Sequence, residues 1–176
     1  VEGKCLCIRG VCNYDNKIRI FSIQHQVLYV SALRMFKDNI IFGIGPKMFR
    51  EFCKKSQYNI IPETDSSQDG CSTHPHNTYL QLLSETGILG TLPVIIFFSY
   101  LIFSFIRQGF KSILNKDTPF SDVQICLLLC FLITLWPLVP TGNFFNNWLS
   151  VIYFMPVGFL LSEFKNVKIF NITKLN

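Results

Sequence analysis

The sequence predicts an all-α integral membrane protein in which about three transmembrane helices follow a region of short amphipathic helices. Two observations carry this prediction. Charged residues are absent from 87–106 and from 123–162, whereas 1–87 contains ten Lys and Arg and eight Asp and Glu. About 20 helical residues cross about 30 Å of hydrocarbon. The first uncharged run therefore fits one span, and the second fits two spans with a tight hairpin between them.

The polar half of the chain, 1–87, begins with a segment, 1–22, in which no periodicity predicts an element. Apolar residues then recur at helical spacing through 24–38, which predicts an amphipathic helix. The sequence Gly43-Ile44-Gly45-Pro46 predicts a turn, and Pro46 suits the first position of a second short helix. Both helices are expected to lie on or near a membrane.

The polar half ends in a loop and a short helix. Segment 59–70 is polar and rich in turn residues, which predicts a loop. The helix is predicted to begin at His76 or Asn77, to break at Gly87 and to pass into the first span.

The distribution of Lys and Arg predicts the topology. Three spans are predicted, followed by a tail: 88–106, 123–140, 144–162 and 163–176. Lys and Arg concentrate in cytoplasmic segments of membrane proteins. They occur in the loop after the first span and in the tail, whereas the hairpin 141–147 carries no charge. The loop and the tail are therefore predicted to be cytoplasmic, and the hairpin and 1–87 to be periplasmic.

The seven cysteines are interpreted from this placement, because an oxidising compartment permits disulfides. Cys53 and Cys71 flank the polar loop and are the favoured pair. Their disulfide would close a loop of about 18 residues and stabilise the fold by about 3 kcal/mol. The other five lack the paired spacing of a zinc site and are assigned to packing or to irregular chain: Cys5, Cys7, Cys12, Cys126 and Cys130. The net charge of +5 is spread along the chain and does not predict nucleic-acid binding.

The densest group of polar residues, 71–87, lies directly before the first span. Pro75 disfavours helical geometry at His74 and leaves His76 and Asn77 at the helix start. A helix N-terminus offers free N–H groups and a partial positive charge, which attract an anion and favour neutral imidazole. His76 is therefore a candidate general base beside a bound diphosphate.

Other interpretations of this group remain open. His74 and His76 could be metal ligands, although no third ligand stands at a recognisable spacing. His76 could be an ordinary helix-start residue, and Glu85 could be an interfacial charge. On a helix Glu85 faces away from His76, whereas Gln81 and Glu85 share a face.

A basic set follows the glycine turn: Lys47, Arg50, Lys54 and Lys55. It could clamp a diphosphate, since Arg binds phosphate oxygens in a bidentate manner. It could instead be a solvated helix face or a site for anionic lipid headgroups.

Two blocks of the chain resemble the O-antigen ligase and polymerase family of integral membrane glycosyltransferases. The first block, 32–49, contains the G-x-G turn. The second, His76-Asn77-Thr78-Tyr79-Leu80 continuing to Gly90, is similar to the family's His-(Asn/Ser)-x-x-Leu motif before a span. Many members carry an Arg and then a Trp where this chain has His25 and Tyr29. The resemblance covers about 24–162, and further spans that complete the donor cavity are expected upstream of it.

The resemblance implies transfer of a glycan from an undecaprenyl diphosphate carrier to an acceptor hydroxyl, in a multi-pass protein of the bacterial inner membrane. The acceptor would be lipid A–core, as in lipopolysaccharide biosynthesis, or another glycan. His76 would deprotonate that hydroxyl, and Arg50 and Lys47 would offset charge on the leaving diphosphate. Further substrate contacts are expected from five residues: His25, His74, Asn77, Gln81 and Glu85. No metal or cofactor is needed in this scheme.

Several alternatives stay open at this point. O-antigen polymerase and protein O-oligosaccharyltransferase activities share the same motifs. A membrane scaffold or export component would tolerate replacement of His76 and Arg50. A metal-dependent periplasmic hydrolase using His74 and His76 would be inactivated by chelation.

Overall fold

The computed structural model describes 6–8, 11–13, 21–61, 69–114, 116–117 and 119–173, with the backbone alone in 6–8, 11–13 and 164–173. Helices form most of this part of the chain: α1 Ile23–Asp38, α2 Phe49–Phe52, α3 Thr78–Ile113, α4 Asp122–Thr134 and α5 Asn147–Thr173. The predicted helical class is thereby confirmed. Strands β1 Leu6–Ile8 and β2 Val11–Asn13 form a small antiparallel hairpin with Cys7 opposite Cys12, in a region for which no element was predicted. Cys5 lies outside the described residues.

The chain divides into two compact units. The first comprises Val1–Leu92 and Pro137–Phe145, and the second comprises Pro93–Trp136 and Asn146–Asn176. The segment 137–145 thus joins the unit that holds the polar half, and the boundary between a polar and a membrane half stays a prediction.

Helix α1 forms the core of the first unit, at the bounds that its periodicity predicts. The Ser22 side chain accepts a hydrogen bond from the His25 backbone N–H and caps the first turn. One face of the helix is buried: Val27, Leu28, Ser31, Ala32 and Met35. Phe49 and Cys53 complete the same core, so α1 is held by the segment that follows the glycine turn.

The glycine turn and the break in α3 fit against each other. Gly43 and Gly87 both have positive φ, at 66° and 64°, and each approaches the other's segment so closely that a Cβ atom would collide with backbone. The Ile44 N–H donates to the Ser84 carbonyl at 2.9 Å, and the Gly45 N–H donates to the Glu85 carbonyl at 2.9 Å. The predicted break at Gly87 is thus confirmed, and its backbone partner is the G-x-G turn.

The second helix starts later than the sequence predicted. Helix α2 begins at Phe49 rather than at Pro46, with Met48 as its N-cap. Lys47 between them has a φ of 62°, in the left-handed region that a right-handed helix cannot include. The turn therefore continues for three residues beyond Pro46, although proline is favoured at the first position of a helix.

The second unit packs apolar helices. Leu101 of α3 and Leu128 and Phe131 of α4 form its buried cluster. At the start of α4, Ser121 and Gln124 form a reciprocal capping box that satisfies the first N–H groups. Many other large apolar side chains of this unit are exposed, Ile96, Phe103 and Trp148 among them.

One helix in the part of the chain that the structure describes, α3, is long and apolar enough to cross a membrane. Helix α4 has 13 residues and ends at Thr134, so the predicted span 123–140 is not one continuous helix. At about 1.5 Å per residue it measures about 20 Å, which is shorter than the hydrocarbon core of a bilayer. The count of three spans therefore stays a prediction.

Candidate active site

All three histidines of the chain lie together in the first unit. The rings of His25 and His76 are 5.8 Å apart between centroids, and those of His76 and His74 are 4.2 Å apart. His25 is brought there by the capped first turn of α1, whereas His74 and His76 precede α3. The structure thus unites two regions that the sequence separates by about 50 residues, and His76 stands between the other two rings.

His74 is buried, and both of its ring nitrogens contact the protein. Its Nε2 lies 3.2 Å from the Thr141 carbonyl oxygen, and its Nδ1 lies 2.9 Å from the Thr73 hydroxyl. A carbonyl only accepts, so Nε2 carries the proton and Nδ1 accepts from Thr73. Burial lowers the pKa of His74, the neighbouring His76 lowers it further, and the Thr141 carbonyl opposes both effects. His74 is accordingly a neutral, fixed residue rather than a free base.

His76 differs from His74 in that no described residue hydrogen-bonds to its ring. It is only half-buried, and its φ of 56° places the residue in the left-handed region, where a non-glycine residue is strained. The Thr141 N–H donates to the His76 carbonyl at 3.0 Å and holds this backbone in place. Burial lowers the pKa of His76, and the charge of His25 lowers it further. A neutral imidazole with unused ring nitrogens is the form that accepts a proton.

Asn77 caps α3. Its Oδ1 accepts from the N–H groups of Tyr79 and Leu80, each at 3.1 Å, and its carbonyl accepts from the Gln81 N–H. Its Nδ2 donates to the Pro137 carbonyl at 2.8 Å. The N–H groups that the sequence predicted to be free for an anion are therefore used within the chain. The geometry favours a positioning role for Asn77 over the predicted substrate contact.

Gln81 and Glu85 share a face of α3, as their spacing predicts, and both are fully buried. The Gln81 Nε2 donates to Glu85 Oε2 at 3.0 Å and to Asn143 Oδ1 at 2.8 Å, and its Oε1 accepts from the Phe144 N–H. The other Glu85 oxygen accepts from the Phe49 N–H at 2.9 Å. These two side chains thus tie α2 and the segment 137–145 to α3, which favours a positioning role over sugar binding.

The sequence did not predict that the segment 137–145 would pack on the motif. Thr141 contacts His74, the His76 backbone and the Thr78 hydroxyl, and Asn143 contacts Gln81. The polar composition of this segment is the one local signal that could have predicted the contact, because Thr and Asn between apolar helices suggest polar partners nearby. Its partners, about 60 residues away, carry no local signal.

Tyr29 adds a buried hydroxyl beside the histidines. Its ring centroid lies 6.0 Å from that of His25. The hydroxyl oxygen is buried and forms no hydrogen bond with the described residues. The Asn77 side chain is nevertheless near enough to affect the pKa of the hydroxyl. Burial raises the pKa of Tyr29 and Asn77 opposes that effect, so the phenol keeps its proton at neutral pH. It remains a hydrogen-bond donor facing the same group of residues.

Lys47 and Arg50 are exposed, and the described contacts do not join either side chain to the histidines. Within the same basic set, Lys54 forms an ion pair with Glu51 at 3.1 Å, and the Lys55 ammonium lies 3.6 Å from the centre of the Phe52 ring. Lys54 and Lys55 thus have partners on their own segment. Lys47 and Arg50 are the two cations of the set without a described side-chain partner.

Cys53 and Cys71 form a disulfide, with their Cα atoms 5.0 Å apart. It joins the end of α2 to the segment that leads to His74. Cys126 and Cys130 of α4 are free. Across the described ranges, no group of three or more His, Cys, Asp and Glu has the arrangement to hold a metal ion.

Comparison with known proteins finds a family model that is similar to part of the chain. Residues 24–95 match the family model described as O-antigen ligase, and the predicted family resemblance is confirmed over that segment. The match includes α1, the glycine turn, the three histidines and the break at Gly87. Members of that family are membrane glycosyltransferase-like enzymes. No curated protein and no solved structure matches the chain.

Proposed function

We propose that this chain transfers a glycan from an undecaprenyl diphosphate carrier to the hydroxyl of lipid A–core, in the manner of an O-antigen ligase, with His76 as general base. One observation carries the proposal. Of the three clustered histidines, His76 combines a lowered pKa with ring nitrogens that no described residue occupies. The family match supports the reaction class.

The chemistry asks for one proton acceptor and one source of positive charge. His76 Nε2 or Nδ1 takes the proton of the acceptor hydroxyl as its oxygen attacks the anomeric carbon. The bond from that carbon to the diphosphate oxygen breaks, and the diphosphate leaves with the electron pair. Diphosphate is stable as a leaving group, so no general acid is required. Arg50 and Lys47 would offset its charge, since both are exposed cations near the glycine turn.

The roles of the neighbouring residues follow from their contacts. Asn77, Gln81 and Glu85 position the start of α3, the hairpin 137–145 and α2 around His76. His74 fixes the Thr141 segment, His25 faces His76 from α1, and Tyr29 packs beside His25. His25 then remains as a group that can touch the substrate.

The packing of the predicted hairpin, 141–147, on the motif supports the proposed topology. The distribution of Lys and Arg predicts that both segments lie outside the cytoplasm, and the contacts of Thr141 and Asn143 with the motif require both to be on one side of the membrane. A periplasmic location of the site, in a bacterial inner membrane with multiple spans, agrees with this requirement.

The test is complementation in cells that lack their own O-antigen ligase, with lipopolysaccharide analysed on a gel. Wild type should restore long-chain lipopolysaccharide, whereas His76→Asn and His76→Gly should accumulate lipid-linked glycan. Both replacements accept the positive φ at this position, and glycine relieves its strain. Loss of transfer in these variants at normal abundance therefore reports the imidazole and not the fold.

Other outcomes separate the alternatives. Equal activity of wild type and His76→Gly would exclude His76 as the base. A wild type that fails with lipid A–core but extends glycan chains, or modifies a pilin-like protein, would be a polymerase or a protein O-oligosaccharyltransferase. A scaffold would tolerate replacement of both His76 and Arg50. The metal-dependent hydrolase is disfavoured already, because both His74 nitrogens are engaged by the protein.

A further inference from the structure

Three consecutive large apolar residues are exposed between α1 and the glycine turn. Ile40 is 48% exposed, Ile41 58% and Phe42 74%. We call these three residues the apolar tip. Removal of large apolar side chains from water is favourable, and three neighbours left in water would forgo that gain. Exposed apolar patches of this kind mark interaction sites.

The apolar tip is hydrogen-bonded to the first residues of α3 after its break. The Ile88 N–H donates to the Ile40 carbonyl at 2.9 Å, and the Leu89 N–H donates to the Ile41 carbonyl at 3.3 Å. Ile88, Leu89 and Leu92 are exposed as well. The tip and the first turn after Gly87 therefore form one continuous apolar surface of the first unit.

The length of the apolar run in α3 fixes the depth of this surface. The uncharged residues 88–106 number 19 before Arg107. As helix they extend over about 28 Å, against about 30 Å of hydrocarbon. The whole run is needed to cross the bilayer, so Ile88 and Leu89 must lie at one edge of the hydrocarbon. Ile40 and Ile41, which are bonded to them, lie at the same edge.

Charged residues flank the tip in the manner of a membrane-inserted segment. Lys37 and Asp38 precede it and Lys47 follows it, and all three are exposed. Asp38 accepts a hydrogen bond from the Tyr58 hydroxyl at 2.8 Å, whereas the two Lys side chains have no described partner. Lys side chains at this depth place their ammonium groups among lipid headgroups while the neighbouring apolar residues enter the acyl region. The charge pattern therefore fits a lipid surface better than it fits another apolar protein segment.

We propose that the apolar tip inserts into the outer edge of the bilayer beside the first turn of the span, with lipid acyl chains as its partner. The insertion holds the glycine turn, and through it α2 and Arg50, at the level of the lipid headgroups. That is the level at which a lipid-linked diphosphate presents its phosphates. The insertion itself does not depend on the proposed transfer reaction, so the two can fail separately.

The test places a tryptophan at the tip and measures its contact with lipid. The two native tryptophans are replaced (Trp136→Phe and Trp148→Phe), Phe42→Trp is added, and the protein is reconstituted in vesicles whose acyl chains carry bromine at defined depths. Ile96→Trp, exposed at the middle of the run, is the deep control, and Ser56→Trp, on the exposed chain after α2, is the aqueous control.

Tryptophan at 42 should emit at shorter wavelength than at 56. It should be quenched most by bromine near the headgroup, whereas tryptophan at 96 should be quenched most by bromine near the chain end. Long-wavelength emission without quenching would show that the tip is in water and would overturn the proposal. Short-wavelength emission without quenching would overturn it too, because protein rather than lipid would then cover the tip.

Discussion

The two parts of α3 on either side of Gly87 differ in which side chains they bury and which they expose. Before Gly87, three polar residues are completely buried: Gln81, Ser84 and Glu85. After it, most of the large apolar residues are exposed: Ile88, Leu89, Leu92, Ile95, Ile96, Tyr100, Phe103 and Ile106. A helix at a water-facing surface shows the reverse of both patterns. One helix therefore meets two environments, and Gly87 is the point at which they change.

The two parts are also specified in different ways. Each buried polar group before Gly87 has a named partner at hydrogen-bond distance, such as Asn143 for Gln81 and the Phe49 N–H for Glu85. Burial of a polar group costs free energy unless such a partner is present, so each of these positions admits few residues. Most of the large side chains after Gly87 are exposed, and those positions need only residues that lipid accepts. Substitutions should therefore be costly before and at Gly87 and mild at the exposed positions after it.

Gly87→Ala tests this comparison with the largest expected effect on the fold. A Cβ at Gly87 would collide with the Ile41 carbonyl, and alanine disfavours a φ of 64°. Together these effects should cost more than about 3 kcal/mol and lower the melting temperature by roughly 10 °C. The measurement is thermal unfolding of the purified protein in detergent.

Gly109→Ala is the matched control in the same helix. A Cβ at Gly109 meets nothing within 4 Å, and alanine favours a helix over glycine by about 1 kcal/mol. Its melting temperature should equal or slightly exceed that of wild type. If Gly87→Ala were as stable as Gly109→Ala, the contact between the turn and the break would not hold the fold.

The disulfide of the first unit should have the next largest effect. Replacing both Cys53 and Cys71 by Ser should destabilise the protein by about 3 kcal/mol, because the open loop gains conformational freedom in the unfolded chain. A reductant should have the same effect on wild type and none on the double variant. Replacing Cys126 and Cys130, which are free, is the control and should leave stability unchanged. Equal stability of both double variants would contradict the prediction.

Local signals predicted the elements whose cause is local. The helix 24–38 follows from its periodicity and was observed as Ile23–Asp38, and the break at Gly87 follows from glycine chemistry. The spacing of Cys53 and Cys71 around a polar loop pointed to the pair that the structure joins. The motif around His76 was found because it is dense and because it resembles a family.

The features that the sequence did not predict depend on distant partners. Asn77 was expected to contact substrate. Its role as a cap and its contact with Pro137 were not predicted, because both exist only once α3 and the segment 137–145 have folded together. Helix α2 starts at Phe49 rather than at Pro46, and a carboxyl oxygen of Glu85, 36 residues away, accepts the Phe49 N–H. Charge patterning alone also could not show that α4 ends at Thr134, since 123–140 is uncharged throughout.

The smallest expected effect concerns His25, which contacts the motif at its start, before α3, where the three histidines lie together. The proposed base, His76, must be neutral to act, and its pKa is lowered first by burial and then by the charge of His25. The acid limb of the pH–rate profile should thus lie below the ordinary histidine pKa of about 6.5. His25→Gln removes the second cause and should move that limb to higher pH, while burial keeps it below about 6.5.

His25→Lys is the matched variant, because it keeps a positive charge at every relevant pH and should move the acid limb of the pH–rate profile to lower pH.

The stability of the folded protein should change in the same pH range for a related reason. The folded protein binds fewer protons than the unfolded chain at His74 and His76, so stability falls as pH drops from about 6.5 towards their lowered pKa values. The rate of glycan transfer from a lipid-linked donor is measured in vitro across pH, and protein stability is measured separately at each pH. A shift of the acid limb caused by His25 can then be distinguished from a loss of folded protein. Identical limbs in His25→Gln and His25→Lys would show that the charge of His25 does not reach the base, and His25 would then serve only the packing of α1.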